Sequence, residues 1–140
     1  MIRPCILVLD PEAPGSISTR KLVIETAKFN VLSTYSGAEL LETLRRFPNV
    51  DAAVLNVAGP SLDQLTCEEI SRRIAELSPK LPVIVTSSSG MEVCGPNQTG
   101  VRSFDPGSLL ETLRQMFPVA TAQISDQEKL LHLKMEQSED

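Results

Sequence analysis

A chain of 140 residues, 41% hydrophobic and 22% charged, is long enough for one domain with a real core and has the composition of an ordinary globular protein. Its net charge of -5, with no dense Lys/Arg patch, argues against non-specific nucleic-acid binding, which needs cations to neutralise phosphates. The N-terminal MIRPCILVLDPE holds only a short apolar run ended by Asp10, too short for a signal h-region or a membrane span, so a cytoplasmic protein without membrane contact is expected.

CILVL (5–9) is a continuous apolar run, the pattern of a strand covered on both faces. GSISTRKLVIETAKF follows as a helix, with Leu22, Val23, Thr26 and Ala27 on one face and Ser16 or Ser18 as its cap. NVLSTY reads as a second, weaker strand. SGAELLETLRRF opens on a capping box, Ser36 and Glu39, and repeats Leu40, Leu41 and Leu44 at helical spacing. DAAVLNV is the third strand. TCEEISRRIAEL carries another box, Thr66 and Glu69, with Ile70, Ile74 and Leu77 as its stripe. LPVIVTSSS is the fourth strand, its Pro placed at the start, where a missing N–H is tolerated.

The segment SSGMEVCGPNQTG (88–100) lacks periodicity where a fourth helix belongs, so that helix is expected to be short or replaced by an irregular loop. GVRSF supplies a fifth strand. DPGSLLETLRQMF supplies a helix with Asp105 as N-cap and Pro106 at its first position. Residues 1–118 make the domain. In the remainder, 119–140, ATAQ reads as a linker, and a box of Ser125 and Glu128 precedes Leu130, Leu131, Leu133 and Met135: a short helix or a disordered tail. Strict strand–helix alternation predicts an α/β fold, a doubly wound five-stranded parallel sheet with helices on both faces.

The cysteines, Cys5, Cys67 and Cys94, are odd in number and far apart, with no C-x-x-C, so all three are expected to be reduced and structural. His132 stands in the tail without obvious partners. The sequon-like NQT at 97–99 has no secretion signal to give it meaning.

In an open α/β sheet, sites form beyond the carboxyl ends of the strands. Those ends deliver Asp10, Pro11 and Glu12 from the first strand and Asn56 from the third. The fourth delivers Thr86, Ser87 and Ser88, and the fifth Arg102 or the Asp105–Pro106 pair.

At these positions the chain resembles the receiver domain of two-component response regulators, over about residues 4–117. CILVLDPE looks like the strand ending in an acidic pair. DAAVLNVAGP looks like the phosphoacceptor strand, with Asn56 in the aspartate's place and Pro60 at the usual proline. LPVIVTSSS looks like the strand ending in the Thr/Ser, which falls on Ser87. VRSFDPGSLLETL looks like the junction bearing the Lys-Pro. The resemblance implies the sheet order 2-1-3-4-5. It also implies a chemistry in which a carboxylate takes up a phosphoryl group, Mg²⁺ neutralises charge, and a Lys and a hydroxyl hold the product and move a loop and an aromatic.

This sequence departs from that pattern. A neutral amide at Asn56 cannot form an acyl phosphate. Pro11 stands where the second acid would be, with Glu12 one residue late, which turns a strand-end side chain elsewhere. Asp10 is the one remaining acid, so Mg²⁺ binding is expected to be weak or absent and no cofactor is expected. The Lys position falls on Arg102 or on Asp105, according to how the junction is aligned, and Phe104 is the candidate switch aromatic. Loss of two clustered carboxylates also removes their mutual repulsion, which should make the pocket stable without metal.

Three readings follow. The first is a stand-alone, non-phosphorylatable receiver-like module acting by contact with a kinase, a regulator or itself, including a homodimer through the fifth strand and the helix after it. The second is an unrelated enzyme or nucleotide binder of flavodoxin-like fold, disfavoured because no G-x-G-x-x-G or P-loop occurs. The third is residual phosphorylation at Asp51 or Asp63.

Overall fold

The computed structural model describes residues 3–10, 18–57, 65–103 and 105–138. Pro11, Glu12, Ser16, Pro60, Asp63 and Phe104 lie outside them. Five strands, β1 (Cys5–Leu9), β2 (Asn30–Thr34), β3 (Ala52–Asn56), β4 (Val83–Ser87) and β5 (Gln98–Arg102), form one parallel sheet in the order β2-β1-β3-β4-β5. The helices are α1 (Thr19–Thr26), α2 (Gly37–Arg46), α3 (Cys67–Leu77), α4 (Pro106–Met116) and α5 (Pro118–Ser138).

The period of two along each central strand divides the core. Ile6 and Val8 of β1 and Ala52 and Val54 of β3 face α1, α4 and the start of α5, where Val23, Ile24, Leu109, Leu113 and Ile124 are buried. Leu7, Leu9, Ala53 and Leu55 face the opposite way, onto Leu40, Leu41 and Leu44 of α2 and Ile70 and Ile74 of α3. The central strands are apolar up to their carboxyl ends, where Asn56, Thr86 and Ser87 stand, because both of their faces are covered.

The helix caps follow the sequence closely. Ser18, Ser36, Thr66 and Asp105 each accept a backbone N–H of the first turn of α1, α2, α3 and α4. At α2 the return contact shifts by one residue: Glu39 accepts the N–H of Tyr35 at 3.1 Å, not that of Ser36.

Several expectations change. The buried face of α1 is Arg20, Val23, Ile24 and Ala27, whereas Leu22 is 51% exposed and Thr26 is exposed, so the stripe sits one residue out of the expected phase. Leu77 is also largely exposed, because the stripe of α3 leaves the sheet after Ile74. β5 begins at Gln98, two residues before the expected GVRSF. It is an edge strand, and its polar start leaves no apolar signature. In keeping with the expected irregular loop, no helix links β4 to β5: residues 88–97 form an irregular crossover.

The tail is neither a short helix nor a linker. ATAQ belongs to α5, a continuous helix of 21 residues that starts at Pro118, and Ser125 lies inside it instead of capping it. The helix runs through the expected boundary at 118, and Ile124 beyond it is buried in the core. No helix among the described residues is long and apolar enough to cross a membrane.

The cysteines also differ from expectation. Cys67, the first residue of α3, is joined by a disulfide to Cys94 in the crossover, with a Cα–Cα distance of 5.4 Å; only Cys5 is free. A 27-residue separation gave no sign of the pairing. It depends on the crossover folding back over α3.

Candidate functional site

Asp10 is fixed from the backbone outward. Its N–H donates to Thr34 O at 3.0 Å, continuing the β1–β2 ladder past the last paired residues. That carries its carboxylate beyond the sheet edge while leaving it only 2% exposed.

A buried carboxylate needs donors, and they converge from α1 with its cap and from β3, whose amide is in turn oriented from β4. From α1, Arg20 donates through Nε to Oδ2 at 2.9 Å and through Nη2 to Oδ1 at 3.1 Å, the two-pronged geometry of a guanidinium fork. Ser18 donates its hydroxyl proton to Oδ2 while its oxygen accepts the N–H of Lys21 at 3.1 Å, so one side chain both caps α1 and holds Asp10. From β3, Asn56 Nδ2 donates to Oδ1 at 2.9 Å. From β4, Thr86 Oγ1 donates to Asn56 Oδ1 at 3.0 Å. The neighbours dictate the Asn56 orientation: reversed, its oxygen would face a carboxylate oxygen.

Burial alone would raise the pKa of Asp10. The hydrogen bonds from Arg20, Ser18 and Asn56, with the Arg20 charge, outweigh it and hold the carboxyl below the ordinary range. Asp10 is therefore a weakly basic carboxylate, charged at neutral pH. Neither it nor the Asn56 amide is a free nucleophile.

The structure thus brings Asp10 and Asn56 together and adds Arg20, Ser18 and Thr86. It places Ser87 elsewhere. Thr86 is the register partner of Asn56 and shares its face of the sheet, whereas Ser87, one residue on, accepts Gly90 N–H at 3.0 Å and shapes the turn into the crossover. Arg102, at the end of β5, is exposed and directs Nε to Ser89 O at 3.4 Å, again in the crossover. Asp105 accepts the backbone N–H and hydroxyl of Ser108, at 3.1 and 2.7 Å. These two bonds, the hydroxyl one first, lower its pKa. Asp105 is the N-cap of α4, and Arg102 ends β5. Asp51 sits at the opposite end of the sheet, accepting Cys5 N–H at 2.8 Å.

Arg20 was legible in one way only. The stripe 23, 24, 27, read one turn back, lands on residue 20, a charged residue on a buried face with an acid at the preceding strand end.

No family model and no curated protein matches the chain. Solved structures do. A response regulator receiver protein from Sinorhizobium medicae superposes with a TM-score of 0.66 at 20% identity, over 84% of this chain and 97% of that one. The CheY4 chemotaxis protein of Vibrio cholerae gives 0.61 at 21% identity, over 82% and 99%. The CheX–CheY–BeF3–Mg complex of Borrelia burgdorferi gives 0.63 at 22% identity, over 83% and 90%. The fold is that of CheY-like receiver domains.

Receiver folds imply a magnesium ion at this place, and the residues described here do not fit one. Both oxygens of Asp10 are held by a guanidinium, the facing side chain is a neutral amide, and no group of three or more His, Cys, Asp or Glu gathers among the described residues. Mg²⁺ requires near-octahedral oxygen ligands.

Proposed function

We propose that this protein is a receiver-like signalling module of the two-component type that takes up no phosphoryl group and works by protein contact, without catalysis, in the bacterial cytoplasm. One observation carries the reading: the carboxyl-end pocket is closed by an internal ion pair, Arg20–Asp10, with the neutral Asn56 amide donating to the same carboxylate. The guanidinium supplies the positive charge that a metal would bring. It does so permanently, so the pocket has one electrostatic state where a phosphorylated receiver needs two.

Under this reading the output is a surface. The partner is a kinase, a regulator or a second copy meeting the side formed by β5 and α4. There Arg102, Asp105, Ser108 and the irregular crossover line an open cleft of about 480 Å³. The CheX–CheY complex is a precedent for contact by this fold.

The test is intact-mass measurement after incubation with Mg²⁺ and a small acyl-phosphate donor. The expected result is an unchanged mass. A stoichiometric phosphoryl adduct on the wild-type chain would overturn the proposal, and fragment mapping would then show whether Asp51, Asp63 or another side chain had accepted it.

A further inference from the structure

In a doubly wound sheet each crossover is normally a helix that covers the sheet and locks itself by its own buried stripe. The β4–β5 crossover has no such stripe. Its large apolar side chains point outward: Met91 is 87% exposed and Val93 47%. What secures it is a short set of specific ties. Cys94 N–H donates to Gln98 Oε1 at 2.8 Å, and Gln98 Nε2 donates to Ser71 Oγ of α3 at 2.9 Å. Gly90, at φ +76°, lies so close to β5 that a Cβ on Gly100 would stand 2.5 Å from its carbonyl oxygen. The one covalent tie is the Cys67–Cys94 disulfide. Between the crossover and α3 lies a cavity of about 380 Å³, with Ile74, Leu81, Val83 and Pro96 in its lining. Both cysteines are only partly buried, at the rim of the core that α3 covers.

We propose that Cys67 and Cys94 form a redox-operated latch: oxidised, they pin the β4–β5 crossover to the start of α3, and a dithiol reductant releases it and opens the cavity beneath. The exchange balances as a two-electron transfer. A thiolate of the reductant attacks Cys94 Sγ, the protein S–S bond breaks, and Cys67 leaves as a thiolate at the N-terminal end of α3. The second thiol of the reductant then attacks the mixed disulfide, closing its own disulfide and releasing Cys94. Each protein thiolate takes a proton from solvent. Cys5 takes no part: burial first, then the charge of Asp51, raises its pKa and keeps it a thiol. Asp10, Arg20 and Asn56 take no part either, so the latch stands independently of the phosphoryl-transfer proposal.

The experiment uses the full chain purified without reductant. Maleimide labelling after denaturation should modify one cysteine, Cys5, and all three after reduction. Hydrogen exchange is then compared with and without dithiothreitol under native conditions. Reduction should speed exchange across residues 88–97 and the first turn of α3 by about tenfold or more, as expected when a local opening becomes easier, and leave β1 and β3 unchanged. The Cys67→Ser, Cys94→Ser double variant should show the fast pattern without reductant, and Cys5→Ser the slow one. Three free thiols in the unreduced protein would overturn the proposal. So would a bond that survives native dithiothreitol, or exchange in the crossover that ignores reduction.

Discussion

A carboxylate taken out of water must have its charge answered, and Arg20 answers that of Asp10. Removing one partner of a buried pair strands the other, which costs about 3–5 kcal/mol. Arg20→Met should therefore lower unfolding stability by roughly that amount in denaturant titration. Arg20→Lys should recover only part of it, because an ammonium cannot donate along two parallel directions. The same geometry sets an acid response. The folded pKa of Asp10 is lowered, so its contribution is fully present above the ordinary carboxylate value of about 3.9 and is lost as pH falls through the lower folded value. Unfolding free energies measured across that acid range should fall with pH, and Asp10→Asn should flatten the part due to this group. At this scale the sequence was half legible. Asp10 and Asn56 announce themselves as polar residues closing apolar runs. The choice of Thr86 over Ser87 rests on strand register, and that of Arg20 on helix phase, and a difference of one residue in either is invisible in composition.

At the scale of elements, α5 contrasts two residues on one face. Ile124 is buried against α1 and α4, whereas Leu131, seven positions on, is 60% exposed. Ile124→Ala should cost about 2–5 kcal/mol, as large-to-small core changes do, and Leu131→Ala should stay within about 0.5 kcal/mol; thermal melts of the two variants measure the difference. Caps and stripes made the starts of α2, α3 and α4 readable, because capping chemistry is local. The length of α5 was not readable. Its apolar residues past Ile124, Leu130, Leu131, Leu133 and Met135, are all exposed, and a short apolar set with nothing to pack against looks like a tail. The β5 start was missed for a related reason: Gln98 and Thr99 are held by the backbone ladder to Val83 and Ile84, and pairing of that kind needs no hydrophobic side chains.

At the scale of the whole molecule, alternation of strand and helix pointed to a parallel sheet with helices on both faces, whereas the strand order β2-β1-β3-β4-β5 was legible only through the resemblance to receiver domains. The disulfide lay beyond the reach of that logic, because it joins a crossover to the helix before it. Ligand linkage supplies the test at this scale. A ligand that binds only the folded state raises stability with its concentration. Millimolar Mg²⁺ should leave the melting temperature of the wild type unchanged. Asn56→Asp combined with Pro11→Asp should melt lower without metal, through repulsion among clustered acids, and regain stability as Mg²⁺ is added. A double variant indifferent to Mg²⁺ would show that position 11 does not face the pocket.

The long C-terminal helix has a mechanical consequence. Clamped near Ile124 and running on to Ser138, it projects roughly 20 Å of rigid rod at 1.5 Å per residue, so a tilt of about 10° at its root swings the far end by about 4 Å. Sub-ångström adjustments where α5 leaves α4 are thus multiplied into displacements as large as a side chain. A binding partner gripping the tip of this lever would feel small changes in the domain that a partner on the sheet face would miss.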